Sequence, residues 1–134
     1  MTYRWAAICA ALLTLAAMAP LAAHHSFAAE FDRNQPVNLS GAITKVDWNN
    51  PHVYFYVDVK DEKTGRVANW SFEMGAPAVL TRSGWKRSSM KIGDVVKVEG
   101  TRARDGSNHA NARTVTLAAT GQRLGAGSSE GEAK

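Results

Sequence analysis

Four histidines carry most of the coordination chemistry in this 134-residue chain, and they fall at three places only. His24 and His25 directly follow an apolar run, His52 closes the turn Trp48-Asn49-Asn50-Pro51-His52, and His109 closes the loop Arg104-Asp105-Gly106-Ser107-Asn108-His109. Neutral imidazoles are ligands for Cu(II) and Zn(II). The run before His24 reads as an export leader, so its removal decides what the first pair can do. Cleavage after Ala23 makes His24 the first residue, whose amine and ring chelate one ion and need a further imidazole to complete a three-nitrogen site. Cleavage after Ala22 leaves Ala23-His24-His25, in which the amine, two backbone amides and His25 form a square-planar set. Both arrangements favour Cu(II), or Ni(II), by ligand type and by the divalent affinity order. The expected metal ligands are therefore His24, His25, His52 and His109, with copper as the expected cofactor. Each has a plainer reading: a histidine pair on a mobile tail, a turn-bonding His52, a solvated His109.

A second constellation is aromatic and polar. In His52 to Lys60 (HVYFYVDVK), Tyr54 and Tyr56 alternate with Val53, Phe55 and Val57, and in Arg66 to Met74 the residues Asn69, Ser71 and Glu73 alternate with Trp70 and Phe72. Tyr54, Tyr56, Asn69 and Glu73 then share an outer sheet face, with Asn50 in the adjoining turn, as a metal-independent surface for a glycan, a peptide or an envelope protein. Aromatic faces of this kind also stack single-stranded nucleic acid. The formal charge of +4 falls by one when Arg4 leaves with the leader, and phosphate contacts dominate nucleic-acid affinity, so no nucleic-acid partner is expected.

Enzyme signatures are missing. The one cysteine, Cys9, sits in the leader, and no Gly-x-Ser-x-Gly elbow, phosphate-binding glycine loop or His-Glu-x-x-His run occurs. Glu73 with His52 can be written as an acid–base pair, which by itself specifies no reaction. The expectation is a binding protein without enzymatic activity, oxidative copper chemistry being a minor alternative.

The elements that must position these residues follow from periodicity. Residues 1–23 have the charged start, short apolar middle and small-residue end of a secretory signal, too short to span a bilayer comfortably. The expected product is a periplasmic or secreted protein with no transmembrane anchor after processing and no thiol. Residues 24–34 form an N-terminal segment, 35–124 the folded domain, and 125–134 (GAGSSEGEAK) a small, polar, disordered tail. Alternation predicts strands over Asn38 to Trp48, with Ala42, Thr44, Val46 and Trp48 on one face, then over His52 to Lys60, Arg66 to Met74, Val95 to Thr101 and about Ala112 to Ala119. Pro77 and Gly84 bracket one short helix. Three strands, a helix and two strands are the order of a five-stranded OB-like barrel, an all-β fold with one short helix, with a small β-sandwich as the alternative. Its inner face is expected to hold Val46, Phe55, Val57, Trp70, Phe72, Val96, Val98, Val115 and Leu117. Met74 and Met90 are read as core residues or soft metal contacts. In such a barrel the loops carrying His52 and His109 flank one ligand face.

The chain resembles a family of small exported bacterial proteins, the domain of unknown function 6152 family. The resemblance rests on His24-His25-Ser26-Phe27-Ala28-Ala29-Glu30-Phe31-Asp32, Trp48-Asn49-Asn50-Pro51-His52, Trp70-Ser71-Phe72-Glu73-Met74-Gly75, Gly84-Trp85, Gly93-Asp94-Val95-Val96, and Asp105-Gly106-Ser107-Asn108 to Asn111-Ala112-Arg113. It covers about His24 to Leu124 and implies export and a single domain, with no activity attached.

Overall fold

The structure, a computed structural model, describes residues 27–131. Expectations for the leader, for His24 and for His25 lie outside the described residues. The chain order is α1 (Phe27–Glu30), β1 (Phe31–Asp47), β2 (Tyr54–Lys60), β3 (Val67–Glu73), α2 (Pro77–Arg82), β4 (Val95–Ala103), β5 (His109–Leu117), β6 (Arg123–Gly125) and a 3₁₀ turn over Ser129–Gly131. None of the described helices is long and apolar enough to cross a membrane.

Strand pairing closes a ring. β1 pairs with β2, β2 with β3, and β4 with both β1 and β5, all antiparallel, while β3 meets β5 in parallel through Ser71↔His109, Phe72↔Ala110 and Glu73↔Asn111. That ring of five strands, with α2 between β3 and β4, is the all-β arrangement expected of an OB-like barrel, to which α1 is an addition, and it excludes the two separate sheets of a sandwich. The sixth strand extends β5 outward.

β1 serves two partners, pairing with β4 over its first part and with β2 from Gly41 to Asp47. At Gly41 a Cβ would run into the carbonyl of Asp58, and at Gly100 into that of Asn111, so only glycine lets the neighbouring backbones approach there. A register shift between Ile43 and Lys45 changes which face points inward. Ile43 is 1% exposed, whereas Thr44, expected on the inner face, is exposed and Ala42 only half-buried. An inserted residue inverts strict alternation, which is why the period of two misplaced Ala42 and Thr44, whereas Val46 packs against the core and Trp48 belongs to it, as expected.

Inside the ring Phe55, Val57, Phe72, Val96, Val98 and Val115 are buried, as expected, together with Val53, Met74, Leu80, Trp85 and Met90. Val46, Trp70 and Leu117 pack against this core only partly buried. The Arg102 guanidinium lies 5.1 Å from the centre of the Trp70 ring, covering its outer side. α2 begins with Pro77 in its first turn and ends before Gly84, whose φ of +97° suits glycine.

The tail expectation is corrected. Residues 125–131 are packed: Gly125 belongs to β6, and Ala126 is fully buried. The Gly75 N–H donates to the Ala126 carbonyl and the Ala126 N–H to that of Arg113. Trp85 Nε1–H donates to the Gly125 carbonyl at 2.8 Å. The small residues that resemble flexible filler are small because Gly127 lies directly against Gly75.

Candidate metal centre

The site is built by register. Tyr54 faces Glu73 across β2–β3 and Ser71 faces His109 across β3–β5. Ser71 and Glu73 flank Phe72, which is wholly buried in the core. Alternation therefore turns both to the outer face of the sheet. There the carboxyl group of Glu73 is itself buried, with 5% of the residue exposed.

Four groups converge on that carboxylate or its neighbour. His52 Nδ1 lies 2.9 Å from Oε1 of Glu73, and Tyr54 Oη–H donates to Oε2 at 3.1 Å. His109 Nε2 lies 4.0 Å from Glu73 Oε2 and 3.5 Å from Glu30 Oε1. On its other side His109 Nδ1 is 2.7 Å from Ser71 Oγ. In the tautomer with the proton on Nδ1, that proton goes to Ser71 and the Nε2 lone pair points at the two carboxylates. The donor atoms of Glu30, Glu73 and His109 all lie within 4.8 Å of one another.

Glu30 reaches the site because α1 is tied down. The Arg104 backbone N–H donates to the Glu30 carbonyl, and Arg104 Nε–H donates to the Ala28 carbonyl at 2.7 Å. Beneath it Phe27, Phe31 and Ala103 form a small separate apolar cluster, and the Phe31 and His109 rings are 5.4 Å apart. The donor cluster borders an open cleft of ≈ 560 Å³ whose walls include Tyr54, Arg104 and Asp105.

Electrostatics follow from burial. Desolvation pushes the Glu73 carboxyl above the ordinary carboxylate range, outweighing the opposing pull of His52 and of the Tyr54 hydrogen bond. Burial, then the neighbouring Glu73 charge, raises the Tyr54 phenol. A buried carboxylate flanked by a second one is costly until a cation joins it. A divalent ion would supply that charge, held by Glu73 and His109 with Glu30 closing from the cleft side.

The sequence-derived candidates separate into groups. His52 and His109 do meet at one place, on Glu73, and Tyr54 joins them. His52 touches the carboxylate oxygen opposite His109, so it holds Glu73 and stands outside the 4.8 Å donor set. Asn69 donates to Asp58 and Thr44, and Tyr56 lies under Lys45, whose Nζ is 5.1 Å from the ring centre. Both stand apart from the cluster. Asn50 is exposed in its loop, next to a cis bond to Pro51. Met74 and Met90 are buried core residues. Sequence reading missed Glu30 and Ser71 as site residues. Ser71 had a signal, since it alternates in step with Glu73; Glu30 had none beyond its nearness to the histidine pair.

The model of a family described as "Family of unknown function (DUF6152)" matches residues 11–112. No curated protein and no solved structure matches the chain.

Proposed function

The chain belongs to the DUF6152 family of unknown function, and from the site that it carries we propose that it is an exported protein that binds a divalent transition metal ion. The observation that carries the proposal is the meeting of Glu30, Glu73 and His109 donor atoms within 4.8 Å. Two carboxylates and an imidazole suit Zn(II) and Cu(II), and the affinity order puts Cu(II) first. Ser71 and His52 act as the outer shell, one orienting the imidazole and the other the carboxylate. Export, to the periplasm or beyond, rests on the signal-like residues 1–23. His24 and His25 are further ligands in this proposal, adjacent in sequence to α1.

The test is a titration of Zn(II) and Cu(II) into the processed protein and into Glu73→Gln, His109→Ala and the double change His24→Ala with His25→Ala. Glu73→Gln and His109→Ala should each weaken binding by more than the ~10–100-fold typical of outer-shell losses. Wild-type affinity in both would overturn the Glu30–Glu73–His109 site, and wild-type affinity in all three variants would overturn the metal reading and leave a metal-independent interaction module. Wild-type affinity in the double change alone would remove only the terminal histidines. Intact mass and metal content of the protein recovered from the periplasmic fraction of an expressing cell test export and loading together.

A further inference from the structure

Three protein donors leave coordination positions open on any ion bound by Glu30, Glu73 and His109, and two of those donors, Glu30 and His109, line the cleft. The cleft, at ≈ 560 Å³, is far larger than an ion needs, since one water takes about 30 Å³. Room remains for a small organic molecule.

The wall chemistry narrows what that molecule is. Glu30, on the cleft wall, and Glu73, whose donor atom lies within 4.8 Å of it, match the charge of a dication. Of the other lining residues, Arg104 is cationic and Asp105 anionic. The Asp105 carboxylate accepts the Ser107 backbone N–H at 2.9 Å, and the nearby Asp32 carboxylate is shared by Asn34 and Gln35. Arg104 is anchored through Nε to Ala28, and a guanidinium with one N–H committed has four more donors in a fixed fork. A guanidinium on the wall that Glu30 and His109 also line, with its Nε–H held by Ala28, matches a carboxylate, which can bridge it to an ion with open positions.

We propose that the cleft binds the metal together with a small α-substituted carboxylate of the hydroxy- or amino-acid class. One carboxylate oxygen and the α-substituent take positions on the ion, and the other oxygen takes Arg104. This rests on the metal reading above, and Tyr54, whose ring stacks at 6.3 Å from that of His109, forms the apolar side of the pocket.

Glycolate is the probe, titrated into the protein with and without Zn(II), after Zn(II) affinity has been measured alone. Glycolate should bind the Zn(II)-loaded protein at least tenfold more tightly than the metal-free protein. Arg104→Gln should erase that gain while Zn(II) affinity stays within threefold of wild type. Broadening of the glycolate methylene resonance by Cu(II)-loaded wild-type protein gives the same answer with no variant, in case Arg104→Gln loosens α1. Tight Zn(II) binding with no gain in glycolate affinity and no broadening overturns the co-ligand and leaves the metal site standing. Zn(II) affinity no better than that of Glu73→Gln overturns both. Glycolate binding equal in the two forms also overturns the proposal, because the ion would then play no part.

Discussion

Ser71 Oγ and His109 Nδ1 sit 2.7 Å apart across the single parallel junction of the ring, so the seam that closes the barrel is also what aims the imidazole. The contact holds the ring plane, and in the tautomer that leaves Nε2 free for an ion the hydroxyl accepts from Nδ1–H. Replacing Ser71 by Ala should weaken metal binding about 10–100-fold, with little change in melting behaviour, and Ser71→Thr should restore most of the loss. Calorimetric titration of the three proteins checks this.

Glu73→Gln should separate stability from binding. Its carboxyl is held above the ordinary range by burial, so the folded state takes up a proton there more readily than the unfolded chain does. The metal-free protein is therefore penalised at neutral pH, and the penalty fades as pH falls through the raised value. An amide of the same shape does not titrate and should lose this pH dependence, while losing the ion. Melting curves of both metal-free proteins should converge on acidification.

Glu99 has the opposite sign. The Thr114 hydroxyl and then the Arg123 guanidinium lower its carboxyl to about 2. A depressed folded value contributes stability that is complete above the unfolded value near 4.5 and is lost as pH falls from there towards 2. Glu99→Gln should therefore flatten the stability profile between those limits and leave it unchanged in slope at neutral pH. Denaturant midpoints measured across the window decide it.

Core substitutions should rank by observed burial. Phe72 is wholly enclosed and stacked on Phe55 at 5.2 Å, and Phe72→Ala should cost about 3–5 kcal/mol. Trp70 keeps an outer side under Arg102, so Trp70→Ala should cost less than Phe72→Ala in spite of its larger ring. Urea unfolding of both gives the order directly.

The element order and the inner valines and phenylalanines of β2, β3, β4 and β5 were legible because alternation holds along those strands without interruption. β1 was not, because the shift beside Ile43 lies next to the close backbone approach at Gly41 and does not follow hydrophobic period. The convergence of His52 and His109 was legible from loop positions alone. Its target was half legible: Glu73 was placed on the correct face, but its burial depends on α1 and Glu30, whose docking is decided by Arg104, distant in sequence. The packed segment after β6 was invisible because Ala126 and Gly127 are small for what they permit next to Gly75, a pairwise property that composition does not encode.

The clamp at residues 123–128 has a consequence for the order of events in making the protein. Until those residues have been synthesised, the Trp85 indole has no acceptor and Ala126 is not yet seated, nor can the Gly75 amide be paired. The parallel β3–β5 seam is equally late, joining residues 71–73 to 109–111. Non-local closures of this kind fold slowly. A growing chain is thus kept from completing its packing while it is still emerging from the ribosome, so the barrel closes only once both of its late seams are available together.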